Sequence, residues 1–416
     1  MSNKKLITPR TLKGFRDFLP AEKKKRDFVM EKIKQTFALF GFEPLETPTL
    51  EYSSLLKGKY GTEADKLIYS FIDRGGRDIS LKYDQTVPTA RVLAQYQNLL
   101  PKFFRRYQIQ NVFRADKPQK GRFREFTQCD IDIFGATSDI GLADTEILAC
   151  TYFVYKNLGF NNIVLKINDR SILVKAVSPF YTKEVSKTSI IQSIDKLGKI
   201  NEDEVARELV SKGLTIPTAK AALESVKKAA LSQSLKNIIN LAINLGVDKN
   251  ALKFDPFLAR GLDYYTGMVF EVVSSDYPTG SLAGGGRYDN LFLQLAEIDV
   301  PAVGMAIGFD RTVEAADQLN FIPASTAQAQ VLVAVFANFK PALAAAAALR
   351  QKNINTEVFP TLDKIDKQLK YADKKGIPYV IIIGPDEAAK NLVTLKNMDS
   401  DQQNTLPLDK AIAKLK

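Results

Sequence analysis

The chain contains no histidine among its 416 residues, and this absence removes several kinds of chemistry. Ser-His-Asp and Cys-His catalysis, histidine general bases and histidine-ligated zinc are all excluded. Any reaction must therefore use carboxylates, Arg, Lys, Tyr and backbone groups. A chain of this length is too long for one ordinary core, so two or three domains are expected.

Cysteine and long apolar runs are also scarce. Cys129 and Cys150 are the only thiols, and their spacing fits neither a metal motif nor a disulfide framework. No run of about 18 apolar residues occurs, so no membrane span is expected. Residues 1–10 lack the apolar core of a secretory signal. We therefore expect a cytoplasmic protein without a structural metal.

Positive charge is present in excess and is concentrated in two segments. The net charge is +11. Residues 170–253 carry 14 Lys and Arg against 8 Asp and Glu, and residues 328–416 carry 13 against 9. Phosphate backbones attract such surfaces. Lys-rich helix faces can also serve solubility alone, and for charge by itself that interpretation is favoured.

The hydrophobic pattern predicts an order of helices and strands. Residues 21–40 fit a helix with one apolar face. Residues 185–245 have helical periodicity and interrupt a strand-rich region as an insertion. After a linker at 321–330, alternating strands and helices predict a small α/β domain with parallel pairing. Hairpin spacing favours an antiparallel sheet for the strand-like runs at 79–83, 103–113, 123–134, 269–273 and 303–307.

Residues 259–271 crowd several reactive groups at the start of a strand-like run. A permanent cation, Arg260, is followed within five residues by Asp263, Tyr264 and Tyr265. A purely structural strand has little use for so many polar groups at its beginning. A site for a small zwitterion and a phosphate would use them all.

Residues 112–132 have the pattern of a long hairpin around a Lys- and Gly-containing loop. Arg114 and Arg122 are expected close together on its paired strands, where two guanidinium groups suit two phosphates of one triphosphate. The alternative is cross-strand pairing with Asp116 and Glu125 on a solvated face.

Two glycine-containing segments could bring the backbone close to a ligand. In residues 302–311, a strand with two glycines precedes Arg311, which would open the next helix. Residues 284–289 contain three consecutive glycines. Taken alone, the first pattern is usually structural and the second is usually an ordinary turn.

Together, these segments resemble the histidyl-tRNA synthetases, a family of class II aminoacyl-tRNA synthetases. Residues 259–271 and 284–289 are similar to its two histidine signatures, and residues 112–132 and 302–311 to its motifs 2 and 3. Asp310 replaces the glutamate more usual in motif 3. Further similarity covers residues 14–20, residues 81–86, residues 369–372 and Pro48, the motif 1 proline.

The resemblance implies an α+β fold. A class II core, with an antiparallel sheet flanked by helices, would be joined by a helical insertion domain and a C-terminal α/β anticodon-binding domain. The core would comprise residues 1–169 and 254–320, the insertion 170–253 and the anticodon-binding domain 328–416. A homodimer is implied as well, because the family places its motif 1 proline at a dimer interface.

The implied activity is ATP-dependent ligation of L-histidine to tRNA(His) through histidyl-adenylate, with release of AMP and pyrophosphate. Mg²⁺ would enter with ATP. The matching positions imply catalytic roles for Arg260 and Arg114. They imply ATP binding by Arg114, Asp116, Arg122 and Arg311. Histidine binding is implied for Asp84, Thr86, Gln128, Asp132, Arg260, Tyr264 and Tyr265.

Two other functions are open at this point. One is a synthetase-like regulatory subunit of histidine biosynthesis without aminoacylation activity, which would generally lack the last domain and the ATP arginines. The other is a non-catalytic RNA-binding module. The absence of histidine fits an enzyme that supplies histidine to translation and does not need it for its own synthesis, but drift or AT-rich coding bias is the more ordinary explanation.

Overall fold

The computed structural model describes residues 8–59, 65–118, 121–197, 200–259, 264–323 and 328–415. The chain forms two compact units, which divide between Ile322 and Pro323. Each unit has a hydrophobic core of its own.

The first unit contains both helices and strands. Its described strands are β1 (Glu43–Pro44), β2 (Leu50–Tyr52), β3 (Ser70–Ile72), β4 (Asp78–Leu81), β5 (Phe104–Phe113), β6 (Glu125–Phe134), β7 (Ile163–Asp169), β8 (Leu252–Phe254), β9 (Met268–Ser274), β10 (Ala283–Arg287) and β11 (Ala302–Gly308). Its described helices are α1 (Pro20–Leu39), α2 (Ser53–Leu56), α3 (Thr86–Gln95), α4 (Leu142–Asn157), α5 (Arg170–Val177), α6 (Lys187–Ile194), α7 (Glu202–Ser211), α8 (Ile216–Lys227), α9 (Gln233–Asn244), α10 (Leu291–Ala296) and α11 (Phe309–Gln318).

Helix α1 has the apolar face that its sequence predicts. Proline suits its first position, because the missing N–H would have no partner there. Val29, Ile33 and Phe37 are fully buried on one side of the helix. Gly41 follows the helix with a φ of 70°, a left-handed conformation that glycine adopts without strain. Helix α1 packs against α4, so its apolar face becomes part of the main core.

Eight strands form the central sheet, in the order β1-β5-β6-β11-β10-β9-β7-β8. The pairings from β5 through β7 are antiparallel, whereas the edge strands β1 and β8 pair in parallel. The expected antiparallel sheet is therefore confirmed for its interior strands. A second sheet, in the order β2-β4-β3, is antiparallel throughout.

The predicted helical block is present as helices α5 to α9. Helices α5 to α8 share a small core that is separate from the main one. A reciprocal capping box between Asn201 and Glu204 begins α7 and satisfies two backbone N–H groups. Helix α9 packs on α4, and its buried Leu235 and Ile238 belong to the main core.

The second unit is a five-stranded sheet with helices, in the order β13-β12-β14-β15-β16. The parallel pairings predicted here are confirmed for β13, β12 and β14, while β15 and β16 add two antiparallel strands. The elements are β12 (Val331–Val333), α12 (Lys340–Gln351), β13 (Thr356–Val358), α13 (Ile365–Lys375), β14 (Tyr379–Ile382), α14 (Pro385–Ala389), β15 (Val393–Asn397), β16 (Gln403–Leu406) and α15 (Leu408–Leu415).

Candidate active site

Polar side chains of β6 beside β11 form a polar floor on one face of the central sheet. Successive side chains of a strand point to opposite faces, so Gln128, Asp130 and Asp132 share the face that is not packed into the core. Their register partners in β11 are Gly308, Ala306 and Gly304, in that order. Small residues of β11 thus lie beside the larger polar side chains of β6.

The floor contains buried acceptors that lack a donor. In the described part of the chain, Gln85 Oε1, Gln128 Oε1 and Asp130 Oδ1 are buried and accept no hydrogen bond. Buried polar atoms are normally paired, and an unmatched one costs about 1–3 kcal/mol. Their proximity to one another indicates a site whose hydrogen-bond donors arrive with a ligand.

Asp132 is held by two side chains to which sequence reasoning assigned no role. Arg106 Nη2 lies 2.7 Å from Asp132 Oδ2. Tyr288 donates a hydrogen bond to Asp132 Oδ1. Both partners are buried. Burial raises the pKa of Asp132, while Arg106 and the Tyr288 hydroxyl act to lower it. The two contacts fix the position of the carboxylate beside the floor.

Three tyrosines form a group next to this carboxylate. The ring centroids of Tyr264 and Tyr265 are 4.7 Å apart, and those of Tyr264 and Tyr288 are 5.8 Å apart. Tyr265 and Tyr288 are buried, and Tyr264 is partly exposed. Both tyrosines predicted to bind the amino acid therefore lie in the same group as the tyrosine that contacts Asp132.

Two of the glycines singled out from the sequence make room for these side chains. A Cβ atom at Gly286 would approach the ring of Tyr265 to 2.9 Å. A Cβ atom at Gly304 would overlap Asp132 Oδ1. The sequence suggested glycines that bring the backbone close to a ligand. At these two positions, the neighbours that glycine accommodates are the protein's own tyrosine and carboxylate.

The segment with Asp84 and Thr86 is fastened to the sheet by the residue between them. Gln85 is fully buried, and its Nε2 donates to the carbonyl oxygens of Gln110 and Gln128, each at 3.2 Å. Thr86 begins helix α3. Gln85 was not predicted as a site residue, yet it holds Asp84 and Thr86 at the same strand that carries Gln128.

Arg114 lies at one end of the floor, just beyond β5. Its Nε donates to the carbonyl oxygen of Tyr83 at 3.1 Å. Its guanidinium carbon lies 4.4 Å from the ring centroid of Tyr83 and 5.1 Å from that of Phe126. These contacts orient the group through Nε and its flat faces, and they leave the terminal nitrogens available for an anion.

The expectation that Arg114 and Arg122 lie on paired strands is wrong in detail. Both residues lie beyond the ends of β5 and β6, and the backbone N–H of Arg114 donates to Arg124. Arg122 lies in the connection between the strands, where its Nε is 3.1 Å from Asp116 Oδ2. The pairing with Asp116 that the sequence left open as an alternative is therefore present. Regular pairing ends early because the connection is long.

Arg311 lies in the first turn of α11, as the sequence predicts. Its Nη1 donates to the carbonyl oxygen of Ser281. The preceding Asp310 has a contact role of its own. Its Oδ1 accepts hydrogen bonds from Arg16 Nη2 and from Arg26 Nη1. The shorter aspartate thus ties the N-terminal segment and α1 to the start of α11.

The first histidine signature, residues 259–271, is described except for residues 260–263. Arg260 and Asp263 lie outside the described residues. Their neighbours on either side, Ala259 and Tyr264, are described; Ala259 is buried, and Tyr264 belongs to the tyrosine group.

The described residues contain no group of three or more Cys, Asp and Glu side chains that could hold a metal ion. Cys129 and Cys150 are both buried and unpaired. Within the same residues, no helix is long and apolar enough to cross a membrane.

Sequence reasoning missed Arg106, Gln85 and Asp130. Asp130 carried a usable signal, because its position between Gln128 and Asp132 places it on the same face of the strand. Arg106 and Gln85 carried no comparable signal, since their partners become neighbours only when the sheet forms.

Comparison with known proteins agrees with this geometry. The family model described as histidyl-tRNA synthetase matches residues 14–312, and an anticodon binding domain model matches residues 328–416. The histidine–tRNA ligase of Wolinella succinogenes is 39% identical over 439 residues, which cover 99% of each chain. That of Rhodopirellula baltica is 38% identical over 418 residues and covers 94% of each chain.

Among solved structures, histidyl-tRNA synthetase from Nostoc sp. PCC 7120 matches with a TM-score of 0.85 at 29% identity, over 99% of both chains. Apo histidyl-tRNA synthetase from S. aureus shares the fold, with a TM-score of 0.72 at 22% identity, over 98% of this chain and 100% of its own. The family model covers more than half of the sequence and the curated relatives match nearly all of it, so the chain belongs to the histidyl-tRNA synthetase family.

Proposed function

We propose that this protein ligates L-histidine to tRNA(His) in two steps. The carboxylate of histidine attacks the α-phosphorus of ATP, which gives histidyl-adenylate and pyrophosphate. A terminal hydroxyl of the tRNA then takes the histidyl group and releases AMP. One observation carries the proposal: a single polar floor has buried acceptors without donors in the described residues, a tyrosine group beside it and a guanidinium at its end.

The first step needs no general base, which agrees with a chain that has no histidine. A carboxylate nucleophile is already ionised near neutral pH. Catalysis then depends on alignment and on fixed positive charges around the phosphates. We assign the α-phosphate to Arg114 and the distal phosphates to Arg122 with Asp116. Arg311 is assigned a position alongside the triphosphate chain. We assign to Arg260 the contact that bridges the histidine carboxylate and the α-phosphate.

The polar floor would hold the amino acid itself. We assign the ammonium group to Asp84, Thr86 and Gln128, and the two imidazole nitrogens to Asp132 and Tyr265, with Tyr264 beside them. Gln128 lies two register positions from Asp132 on the same face, which suits the two ends of one small substrate. A pocket of paired hydrogen bonds rejects an apolar ring, because its buried polar groups would be left unpaired.

We take Mg²⁺ to enter as part of the ATP complex. No side chain is assigned to it. We also place the activity in the cytoplasm, where the product is used and where two free thiols remain reduced.

ATP–pyrophosphate exchange, assayed with each of the twenty amino acids, tests the proposed function. We expect exchange with histidine alone, followed by histidine transfer to tRNA(His). A regulatory subunit or an RNA-binding module would show no histidine-dependent exchange. The match of residues 328–416 to an anticodon binding domain, together with the four arginines, disfavours the regulatory role.

Two substitutions separate the roles within the site. Arg260→Ala should greatly slow exchange while histidine still binds; near-normal exchange would remove its catalytic assignment. Tyr265→Phe should weaken histidine binding more than ATP binding. Equal losses for both ligands would argue against an imidazole contact.

We further propose that the protein is a homodimer that uses the sheet of β2, β4 and β3. Its outer strands carry four exposed large apolar side chains: Leu50, Tyr52, Phe71 and Ile72. Leu50, Tyr52 and Phe71 point to the same face of this sheet, because Tyr52 and Phe71 are both register partners of Ile79. Exposed apolar side chains grouped in this way are typical of interfaces between subunits. Sedimentation of the wild type should give twice the chain mass, and Phe71→Glu should shift it toward the monomer. A wild-type protein that sediments as a monomer would exclude this assembly.

A further inference from the structure

Asp130 is a buried carboxylate on the polar floor that the family pattern does not assign. It is only 6% exposed, and its Oδ1 is buried without a hydrogen-bond donor in the described part of the chain. Its register partners are Gln108 in β5 and Ala306 in β11. The neighbour on the β11 side is therefore a methyl group, which offers the carboxylate no hydrogen bond.

The charges that face Asp130 come from several elements. Arg106 on β5 and Arg114 beyond its end favour ionisation, whereas Asp132 on β6 and Asp84 before α3 disfavour it. Burial is the largest influence, and it raises the pKa of Asp130 to about 8. Near neutral pH, and without a bound cation beside it, this carboxyl is therefore mainly in its protonated form.

A structural role accounts poorly for this residue. A buried carboxyl that stabilises a fold normally accepts hydrogen bonds from neighbouring N–H or O–H groups. Asp132 on the same strand accepts a hydrogen bond from the Tyr288 hydroxyl on one oxygen and forms an ion pair with Arg106 through the other. Asp130 has none among the described residues, so the missing donor is expected from outside the chain.

We propose that Asp130 is a second carboxylate contact for the ammonium group of histidine, beside Asp84. The inference rests on the proposed function and adds a residue to the same site. Its position on β6 lies between Gln128, assigned to the ammonium group, and Asp132, assigned to the imidazole. The ammonium end is favoured because Asp84 is close enough to interact with Asp130, and a shared cation relieves the repulsion between the two carboxylates.

A proton balance follows from this contact. When the ammonium group arrives, Asp130 gives up its proton to solvent and the carboxylate pairs with the cation. Histidine binding should therefore release a proton below about pH 8, and affinity should rise with pH up to that value. Above about pH 8 the carboxylate is already ionised, and this dependence ends.

Calorimetric titration of the full-length protein tests the contact. Histidine is titrated at pH 7 in two buffers of different ionisation enthalpy, which gives the number of protons released. Asp130→Asn keeps the side-chain volume and should weaken histidine roughly 10- to 100-fold. It should also release fewer protons than the wild type. The amine-free analogue imidazolepropionate should bind the two proteins equally.

Asp276→Asn, an isosteric change at a surface carboxylate, is the matched control. Unchanged histidine affinity in Asp130→Asn, or equal loss for histidine and imidazolepropionate, would overturn the assignment. If Asp130→Asn does not fold, Asp130→Ala is measured in its place and judged by the same criteria. In either case, the wild type must release protons when histidine binds at pH 7, and the absence of this release would also overturn the assignment. Wild-type exchange with histidine is measured alongside, so failure of this contact can be told from failure of the proposed function.

Discussion

Alternate residues of strand β6 lie in two different environments. Cys129, Ile131 and Ile133 are at most 2% exposed and belong to the main core. Gln128 and Asp130 lie on the opposite face, where each has a buried oxygen with no donor in the described residues. Buried apolar atoms stabilise a fold, whereas unmatched polar atoms destabilise it until a ligand supplies their partners. One strand thus contributes stability through one set of residues and a binding surface through the other.

The largest expected effect comes from the packed face. Ile131→Ala removes a fully buried side chain from the core. It should lower the free energy of unfolding by about 2–5 kcal/mol, measured by urea denaturation. Histidine affinity, measured where the variant is still folded, should stay within about twofold, since only the far side of the strand has changed. A large loss of affinity would show that the two faces are not independent.

The sequence predicted strand β6 and its neighbours in the sheet, but it did not predict the side-chain contacts between strands. Hydrophobic runs located β5, β6 and β11, and the family pattern supplied Gln128 and Asp132. Such patterns describe one strand at a time. The contact between Tyr288 and Asp132 joins residues 156 positions apart, and it forms only once the sheet brings their strands together.

The same limit applies elsewhere in the chain. In the second unit, parallel strands were predicted where helices separate them, while β15 and β16 went unpredicted. Strand β16 reads Gln-Asn-Thr-Leu and is mostly exposed, so it lacks the apolar alternation that marks a strand. Asp130 was missed for a different reason. Matching a family motif assigns a role only where the corresponding position has a known role in the family.

The polar face should affect rate more than stability. Arg114→Ala removes the guanidinium at the end of the floor and should slow ATP–pyrophosphate exchange roughly 100- to 1000-fold. Arg105→Ala is the matched control, because Arg105 lies on β5 but contacts Glu146 at 2.8 Å. That control should leave exchange near the wild-type rate. If Arg114→Ala mainly lowered the unfolding temperature, its contacts with Tyr83 and Phe126 would be structural.

A smaller effect is expected at Tyr288, which acts on the site through Asp132. Tyr288→Phe keeps the ring but removes the hydroxyl that donates to Asp132. Histidine KM in the exchange assay should rise about 10-fold, with little change in ATP KM. This hydrogen bond lowers the pKa of Asp132, so its loss favours the protonated form. The variant should therefore lose histidine affinity at a higher pH than the wild type as the solution is acidified, and parallel pH profiles would contradict a positioning role.

The smallest effect is expected at Asp310, near the ATP end of the floor. This residue contributes to stability and also lies next to a residue assigned to ATP binding. Asp310 accepts from Arg16 and Arg26 and precedes Arg311 at the start of α11. Asp310→Asn keeps the shape but removes the charge from a partly exposed pair, a change worth about 1 kcal/mol. Because the contact orients the helix turn that carries Arg311, ATP KM should rise a few-fold while histidine affinity stays constant.

Asp317→Asn provides the control for this last change. Asp317 lies on the same helix and pairs with Lys25 at 2.8 Å, about 1.7 helical turns from Arg311. Equal increases in ATP KM for the two variants would mean that any loosening of α11 weakens ATP binding. An increase confined to Asp310→Asn would mean that the N-terminal arginines act on the site through this one carboxylate. The polar floor would then depend on charges anchored outside the sheet as well as on the strand residues that form it.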